Sequence, residues 1–323
     1  MIRGAGGIEA VGMDLGGTKM LIGVLDAEAS INYRWEGPSP AESADELLDR
    51  MEHELGKAQA ACPRVAAVGL GIPCTVDFER GVAVSSVHLP LVDVPVREEM
   101  RRRMGLPVFV DNDANLAAVA EHQLGAARGA QNVVMLTIGT GIGGGLILGG
   151  RPYRGSSGAA AELGHMVIDL DGPPGRGSCP SRGCLEAVAS GTAIGVEGRA
   201  LAASRPDSAL GHALAEGRDI DSRLVVQSAT DGDAASREVL DLVGHRLGVA
   251  LAGLANAFDP DVIVLGGGAM AAGDLLLKPA TQELRARALP PQNAVAVRVA
   301  ELGAAAGMIG AAVMAQLEVG ACA

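Results

Sequence analysis

Asp111-Asn112-Asp113-Ala114-Asn115 puts two carboxylates and two amides into five residues, directly after the apolar run Leu106–Val110. Polar groups at the C-terminal end of a buried strand face the crevice in which α/β sheets hold ligands. A lone aspartate beside a phosphate donor suits alcohol phosphorylation, because a base must accept the hydroxyl proton as the phosphoryl group moves. Asn112 or Asp113 could instead cap the apolar helix expected over Ala114–Gly125, although one cap does not need two carboxylates and two amides. Phosphate itself would be met by glycine. Val11–Asp26 reads as strand, Gly16-Gly17-Thr18-Lys19, strand, with Asp14 closing the first strand. Asn132–Gly150 repeats the pattern: Val133–Ile138, a turn holding Gly139, Thr140, Gly141, Gly143, Gly144 and Gly145, then Leu146–Leu148. Glycine leaves backbone N–H groups uncovered, and with a threonine hydroxyl among them they form an anion cradle. Either hairpin alone could be ordinary. The pair describes two similar half-domains facing each other across a cleft.

A third polar stretch, Gly158–Ile194, supplies Glu162, His165 and Glu186, side chains suited to a polyol. It also holds Cys179 and Cys184, and with His165 these could ligate zinc, although a closed structural zinc site takes four ligands. Loop cysteines without metal fit the same residues. Further on, Val262–Leu265 meets Gly266-Gly267-Gly268, where the backbone could approach a nucleotide closely.

The elements that must position these groups follow from periodicity. Helices are expected over 41–61 (Leu47, Leu48, Met51 and Leu55 on one face), 95–104, 209–216, 234–246, 248–258 and 304–317, with strands at 65–72 and 295–299. Residues 319–323 read as a frayed tail. With 323 residues, 48% of them hydrophobic, the chain can fill two α/β domains. A net charge of −12 argues against nucleic acid as a main partner. Six aromatic residues leave little for stacking, so any sugar must be held by hydrogen bonds. Neither an apolar leader in Met1–Glu9 nor a run of apolar residues long enough to span a bilayer without charge is evident. Five scattered cysteines suggest reduced thiols in a cytoplasm.

Taken together, D-L-G-G-T-K, G-L-G-I-P-C-T-V-D, D-N-D-A-N, T-I-G-T-G-I-G-G-G, E-L-G-H followed by G-C-L-E, and V-L-G-G-G resemble the motifs of the ROK family of sugar kinases from about Val11 to Leu317. The resemblance implies a two-domain actin-like (ribonuclease H-like) ATPase fold with phosphate hairpins either side of a cleft. It places the small domain at 1–125, with a C-terminal helix at about 304–323 packing back on it, and the large domain at 126–303. It implies ATP-dependent phosphorylation of a hexose at its 6-hydroxyl, glucose first, with N-acetylmannosamine, N-acetylglucosamine, fructose and allose open and polyphosphate an alternative donor. Asp113 would be the general base. Asn112, Glu162, His165 and Glu186 would bind sugar hydroxyls. Asp14 would organise Mg²⁺, and Gly16, Gly17, Thr18 and Lys19 would shape the first phosphate site. Thr137, Gly139, Thr140, Gly141 and Gly143 would form the opposite wall, and Gly267 and Gly268 the adenosine pocket. The family's zinc loop is matched by His165, Cys179 and Cys184, but Gly177 stands in place of one cysteine and Pro180 in place of a glycine. Cys74 stands where the sugar-side loop has glycine. A homodimer is implied.

Two other classes are set against this. Sugar-responsive repressors of the family carry a helix-turn-helix before the first phosphate motif, where ten residues precede Val11 here. A nicotinamide oxidoreductase would use G-x-G-x-x-G between a strand and a helix, whereas Gly139–Gly144 joins two strands.

Overall fold

The computed structural model describes residues 7–39, 41–86, 89–177 and 179–322. Residues 1–6, where no apolar leader is expected, and Ala323 of the expected tail lie outside the described residues. The chain divides into two compact units, one of residues 1–130, 145–161 and 301–323, the other of residues 131–144 and 162–300.

In chain order the first unit forms β1 (Glu9–Leu15), β2 (Lys19–Leu25), β3 (Ile31–Pro38), α1 (Ala44–Ala61), β4 (Val65–Ile72), β5 (Cys74–Asp77), β6 (Val82–Ser86), β7 (Val92–Val94), α2 (Val96–Met104), β8 (Val108–Asn112) and α3 (Asp113–Leu124). There follow β9 (Val133–Ile138), β10 (Ile142–Leu148), β11 (Arg151–Pro152), α4 (Leu185–Ala189), α5 (Gly191–Ser204), α6 (Ala209–Ala215), α7 (Ser222–Thr230), α8 (Ala234–Phe258), β12 (Val262–Gly266), α9 (Asp274–Arg287), β13 (Ala296–Val299) and α10 (Ala306–Cys322). The first five-stranded sheet has the order β3-β2-β1-β4-β8 and the second the order β11-β10-β9-β12-β13. In both, antiparallel strands lead into a parallel series, β1-β4-β8 in one and β9-β12-β13 in the other. The duplication expected from the two glycine turns is thus a duplication of sheet topology.

Strand alternation sorts the first sheet's faces. Val11, Met13 and Leu15 of β1, Val68, Leu70 and Ile72 of β4, and Val108 and Val110 of β8 join one core with Leu47, Met51 and Leu55 of α1 and Met100 of α2. Burying each such side chain contributes roughly 1.5–3 kcal/mol. The intervening positions face α10. A Cβ on Gly12 would lie 2.1 Å from the Met308 carbonyl oxygen, and one on Gly69 would lie 1.9 Å from that of Ala311. Glycine here lets a helix backbone lie directly on the sheet. Asp14 shares this face with Gly12, and Asp111 shares the corresponding face of β8 with Phe109, which packs toward Leu116, Ala311 and Met314.

Several expectations change. Residues 234–258 form one helix, because Gly244 and Gly248 admit Pro279 and Ala280 of α9 rather than breaking the chain. The strand expected at 106–110 is Val108–Asn112, which carries Asn112 to its end. The second glycine turn is only Gly139–Gly141; Gly143–Gly145 lie in β10, where Ala118 of α3 presses on Gly145. Residues 319–322 continue α10 instead of fraying. Residues 303–321, which include Glu318, are apolar and long enough to cross a membrane by length and composition, yet 61% of that window is buried inside the protein. It is a core helix.

Candidate active site

The first glycine turn is tied down by one residue. The fully buried Ser39 donates its hydroxyl to the Gly16 carbonyl at 2.5 Å and its amide to the Thr18 carbonyl at 3.1 Å. A trans peptide points its C=O and N–H in opposite directions. Fixing the Gly16 carbonyl toward Ser39 therefore turns the Gly17 amide the other way, on a stretch where Gly17, Thr18 and Lys19 are exposed. Lys19 pairs with Glu36 at 3.2 Å.

Beside this turn two aspartates come together. Burial first, and then the neighbouring Asp113 carboxylate, push the Asp14 carboxyl up to about 7, with Lys19 pulling it down. Its carboxylate lies against the first turn of α10, where a Cβ on Gly307 would be 2.5 Å from Oδ2. A largely buried carboxyl beside a second one is a candidate place for a cation or a proton.

Asp113 is the first residue of α3, and its Oδ1 accepts the Ala114 N–H at 2.9 Å. Asn112 is the helix cap: its Oδ1 accepts from the amides of Ala114 (2.9 Å) and Asn115 (3.3 Å), and its Nδ2 donates to the Cys74 carbonyl at 3.3 Å. Capping thus falls to Asn112, one of the two residues the sequence offered for it. Asp111 is the carboxylate removed from solvent. It is 1% exposed and paired with Arg154 at 2.7 Å. The Cys74 thiol is buried too, and burial followed by the Asp113 charge pushes it up to about 12, so it stays protonated at neutral pH.

In the second unit the Gly139–Gly141 turn is held by the start of α5. The Gly191 amide donates to the Gly139 carbonyl at 2.8 Å, and the Thr192 hydroxyl donates to the Thr140 carbonyl at 2.7 Å. By the same peptide geometry the Thr140 and Gly141 amides turn away from α5. Glu186 accepts the Ile142 N–H at 2.9 Å, and a Cβ on Gly141 would fall 2.3 Å from its Oε2. Thr137 pairs with Gly266 across β9 and β12, and Gly267, at φ 91°, sits so that a Cβ would be 2.4 Å from the Ile138 carbonyl oxygen. The turn, the Gly267–Gly268 segment and Glu186 therefore share one neighbourhood. Gly143 stands apart from the turn, inside β10.

Glu162 and His165 flank a single 3₁₀ turn at Leu163–His165, which packs on β10 through Gly164. His165 Nε2 lies 3.9 Å from Glu162 Oε2. The Leu185 amide donates to the Met166 carbonyl, and a bridge between Val167 and Cys184 closes the loop. His165, Cys179 and Cys184 then offer ligand atoms all within 4.8 Å of one another. The donor chemistry of these three side chains suits zinc, and Gly177 offers no side-chain ligand.

The sequence reading missed four residues here: Ser39, Gly307, Thr192 and Arg154. Only Thr192 carried a local signal, the Ser190 cap that opens α5.

The ROK family model matches residues 10–318, and the chain belongs to the ROK family. It is 36% identical over 307 residues to the glucokinase of Halalkalibacterium halodurans, covering 93% of this chain and 92% of that one. The crystal structure of a ROK family glucokinase from Streptomyces griseus in complex with glucose and AMPPNP superposes with a TM-score of 0.82 at 33% identity, over 95% of this chain and 99% of that one. The ROK hexokinase of Thermus thermophilus gives 0.78 at 37% identity, over 97% and 99%. The fold is the actin-like ATPase fold of these sugar kinases.

Proposed function

We propose that this chain transfers the γ-phosphoryl group of ATP to the 6-hydroxyl of a hexose, with glucose the first candidate. The observation that carries the reading is the Asp14–Asp113 pair beside an anchored glycine turn, in a chain of this family. Asp113, held at the start of α3, accepts the hydroxyl proton as the phosphoryl group leaves ATP. Mg²⁺ arriving with ATP would neutralise phosphate charge, and Asp14 is the carboxylate fit to hold it. Gly16, Gly17, Thr18 and Lys19 contact phosphate in one unit. Thr137, Gly139, Thr140, Gly141 and Gly143 do so in the other, and Gly267 and Gly268 line the adenosine side. Asn112, Glu162, His165 and Glu186 orient the sugar. The small domain is assigned to 1–125, with the helix at about 304–323 packing back on it, and the large domain to 126–303. A homodimer and a cytoplasmic location belong to the same proposal; Cys62, Cys74, Cys179 and Cys184 are all free thiols.

Zinc held by His165, Cys179 and Cys184 would fix the imidazole beside Glu162. Chelation should then lower the melting temperature of the wild type and leave Cys184→Ser unmoved; equal melting curves for the wild type with and without chelator exclude a structural metal.

The function is tested by ADP release with Mg-ATP across hexoses and N-acetylhexosamines. Turnover on glucose is expected. Binding of sugar without turnover on any of them, with ATP or polyphosphate as donor, would overturn the kinase reading.

A further inference from the structure

Two carboxylates flank Asn112, and only one of them has a part in the proposed reaction. Asp111 is buried, and its two oxygens are fully engaged. Oδ1 accepts the Asn112 amide at 2.8 Å and the Asn115 side-chain amide at 3.1 Å, and Oδ2 meets Arg154 Nε at 2.7 Å. Arg154 is the cation within ion-pair distance of Asp111 among the described residues.

That guanidinium is itself fixed from several sides. It stacks over Phe78 with its carbon 3.6 Å from the ring centroid, and its Nη2 lies 4.0 Å from Met314 Sδ. Arg97, also over the ring at 5.5 Å, donates to the Phe78 and Glu79 carbonyls. The segment carrying Arg154 lies flush on β5, since a Cβ on Gly158 would be 2.1 Å from the Val76 carbonyl oxygen.

We infer that Arg154 is a positioning residue for phosphoryl transfer, acting through Asp111 to fix the strand-to-helix junction that carries Asn112 and Asp113. The inference rests on the kinase reading of Asp113. Every bond that Asp111 accepts from the junction falls on a residue beside Asp113 or two beyond it. Asn112, so fixed, spends its own side-chain oxygen on the next two amides of α3. The base therefore stands between two anchored neighbours, and the anchor depends on the pairing of Asp111 with Arg154. An unpaired buried carboxylate would take up a proton or turn toward water, and either releases the Asn112 amide. Reaction geometry is sensitive at this scale, where a misplacement of about 1 Å can cost 100-fold in rate.

The test compares Arg154→Met, Asp111→Asn and the double variant in full-length protein, with Mg-ATP and glucose. Arg154→Met is expected to lower kcat by tenfold to 100-fold while KM for glucose moves less than threefold. The double variant, which removes both charges, is expected to recover most of that loss. Hydrogen exchange of the same proteins should quicken over residues 108–116 and stay unchanged elsewhere. An unchanged kcat, a loss that the double variant does not relieve, or exchange that quickens throughout the chain each overturns the inference. If the wild type phosphorylates no hexose, the kinase reading falls, and the exchange pattern alone decides whether Arg154 anchors the junction.

Discussion

The two glycine turns reach the same end by different means. In the first, one buried residue, Ser39, holds two carbonyls through its hydroxyl and its own amide, and the turn ends beside a pair of carboxylates. In the second, two successive residues at the start of a 14-residue helix hold two carbonyls through a backbone amide and a hydroxyl, and the acid present, Glu186, accepts the Ile142 amide through Oε2. Both anchorings take up carbonyl oxygens, which would repel an anion, and so turn the next amides outward. What differs is charge. The first turn stands beside two aspartates, whereas the acid beside the second accepts a backbone amide. The proposed function gives the first unit the chemistry and the second the donor.

If this division holds, the largest effect falls on the first unit. Asp113→Asn keeps the shape of the side chain and removes the base, so kcat should fall about 10³-fold, within the usual range for a lost general base. Glucose affinity, read by calorimetry, should change little. A kcat near that of the wild type would place the base elsewhere and dissolve the contrast.

Asp14 gives the next effect and a pH signature. Its carboxyl is raised from 3.8 to about 7, so the folded protein binds this proton more tightly than the unfolded chain does. Between those values the folded state carries the extra proton, and stability falls as pH rises through the window. The penalty is absent below about pH 4 and complete above about pH 7, at most roughly 4 kcal/mol at 1.36 kcal/mol per unit. Asp14→Asn should therefore raise the melting temperature at pH 8 and leave it nearly unchanged at pH 4, while kcat/KM for Mg-ATP drops about 100-fold. In the wild type, kcat/KM for Mg-ATP should decline below pH 7 as the carboxylate is lost. Identical melting temperatures for the two proteins at pH 8 would remove Asp14 as the charged element of this turn.

What the sequence disclosed of this site was its local part. Both glycine turns, the strand-to-helix junction at Asn112 and the Gly267–Gly268 segment show in consecutive residues, because turns and caps are specified within a few positions of themselves. The sequence could not show that Asp111 is buried and paired. Arg154, 43 residues away, makes that pair, and no periodicity announces such a partner. Ser39 reaches Gly16 across 23 residues and Thr192 reaches Thr140 across 52, again without a repeating pattern. The splitting of α8 in two had a related cause. Gly244 and Gly248 are a packing surface for α9 within one continuous helix, which only tertiary contact reveals. Spacing alone allowed either a metal cluster or idle thiols at Cys179 and Cys184; the Val167–Cys184 bridge brings the ligand atoms together.

The anchors themselves give the smallest effect and the sharpest comparison. Ser39→Ala removes a buried hydroxyl and leaves the Gly16 carbonyl short of its donor, which costs about 1–3 kcal/mol. Thr192→Val removes a hydroxyl from an exposed pair, where water can take its place, and should cost no more than about 0.5 kcal/mol. Both should raise KM for Mg-ATP severalfold, because each frees a peptide plane in a phosphate turn, but only Ser39→Ala should lower the melting temperature measurably. Equal destabilisation by the two would mean that water does not substitute at Thr140, and that the second turn is anchored as rigidly as the first. Destabilisation by Ser39→Ala with no change in KM would mean that the Gly16 carbonyl can be released without disturbing phosphate. The role of Ser39 would then be confined to stability, and the amide-turning argument would survive only for the second unit.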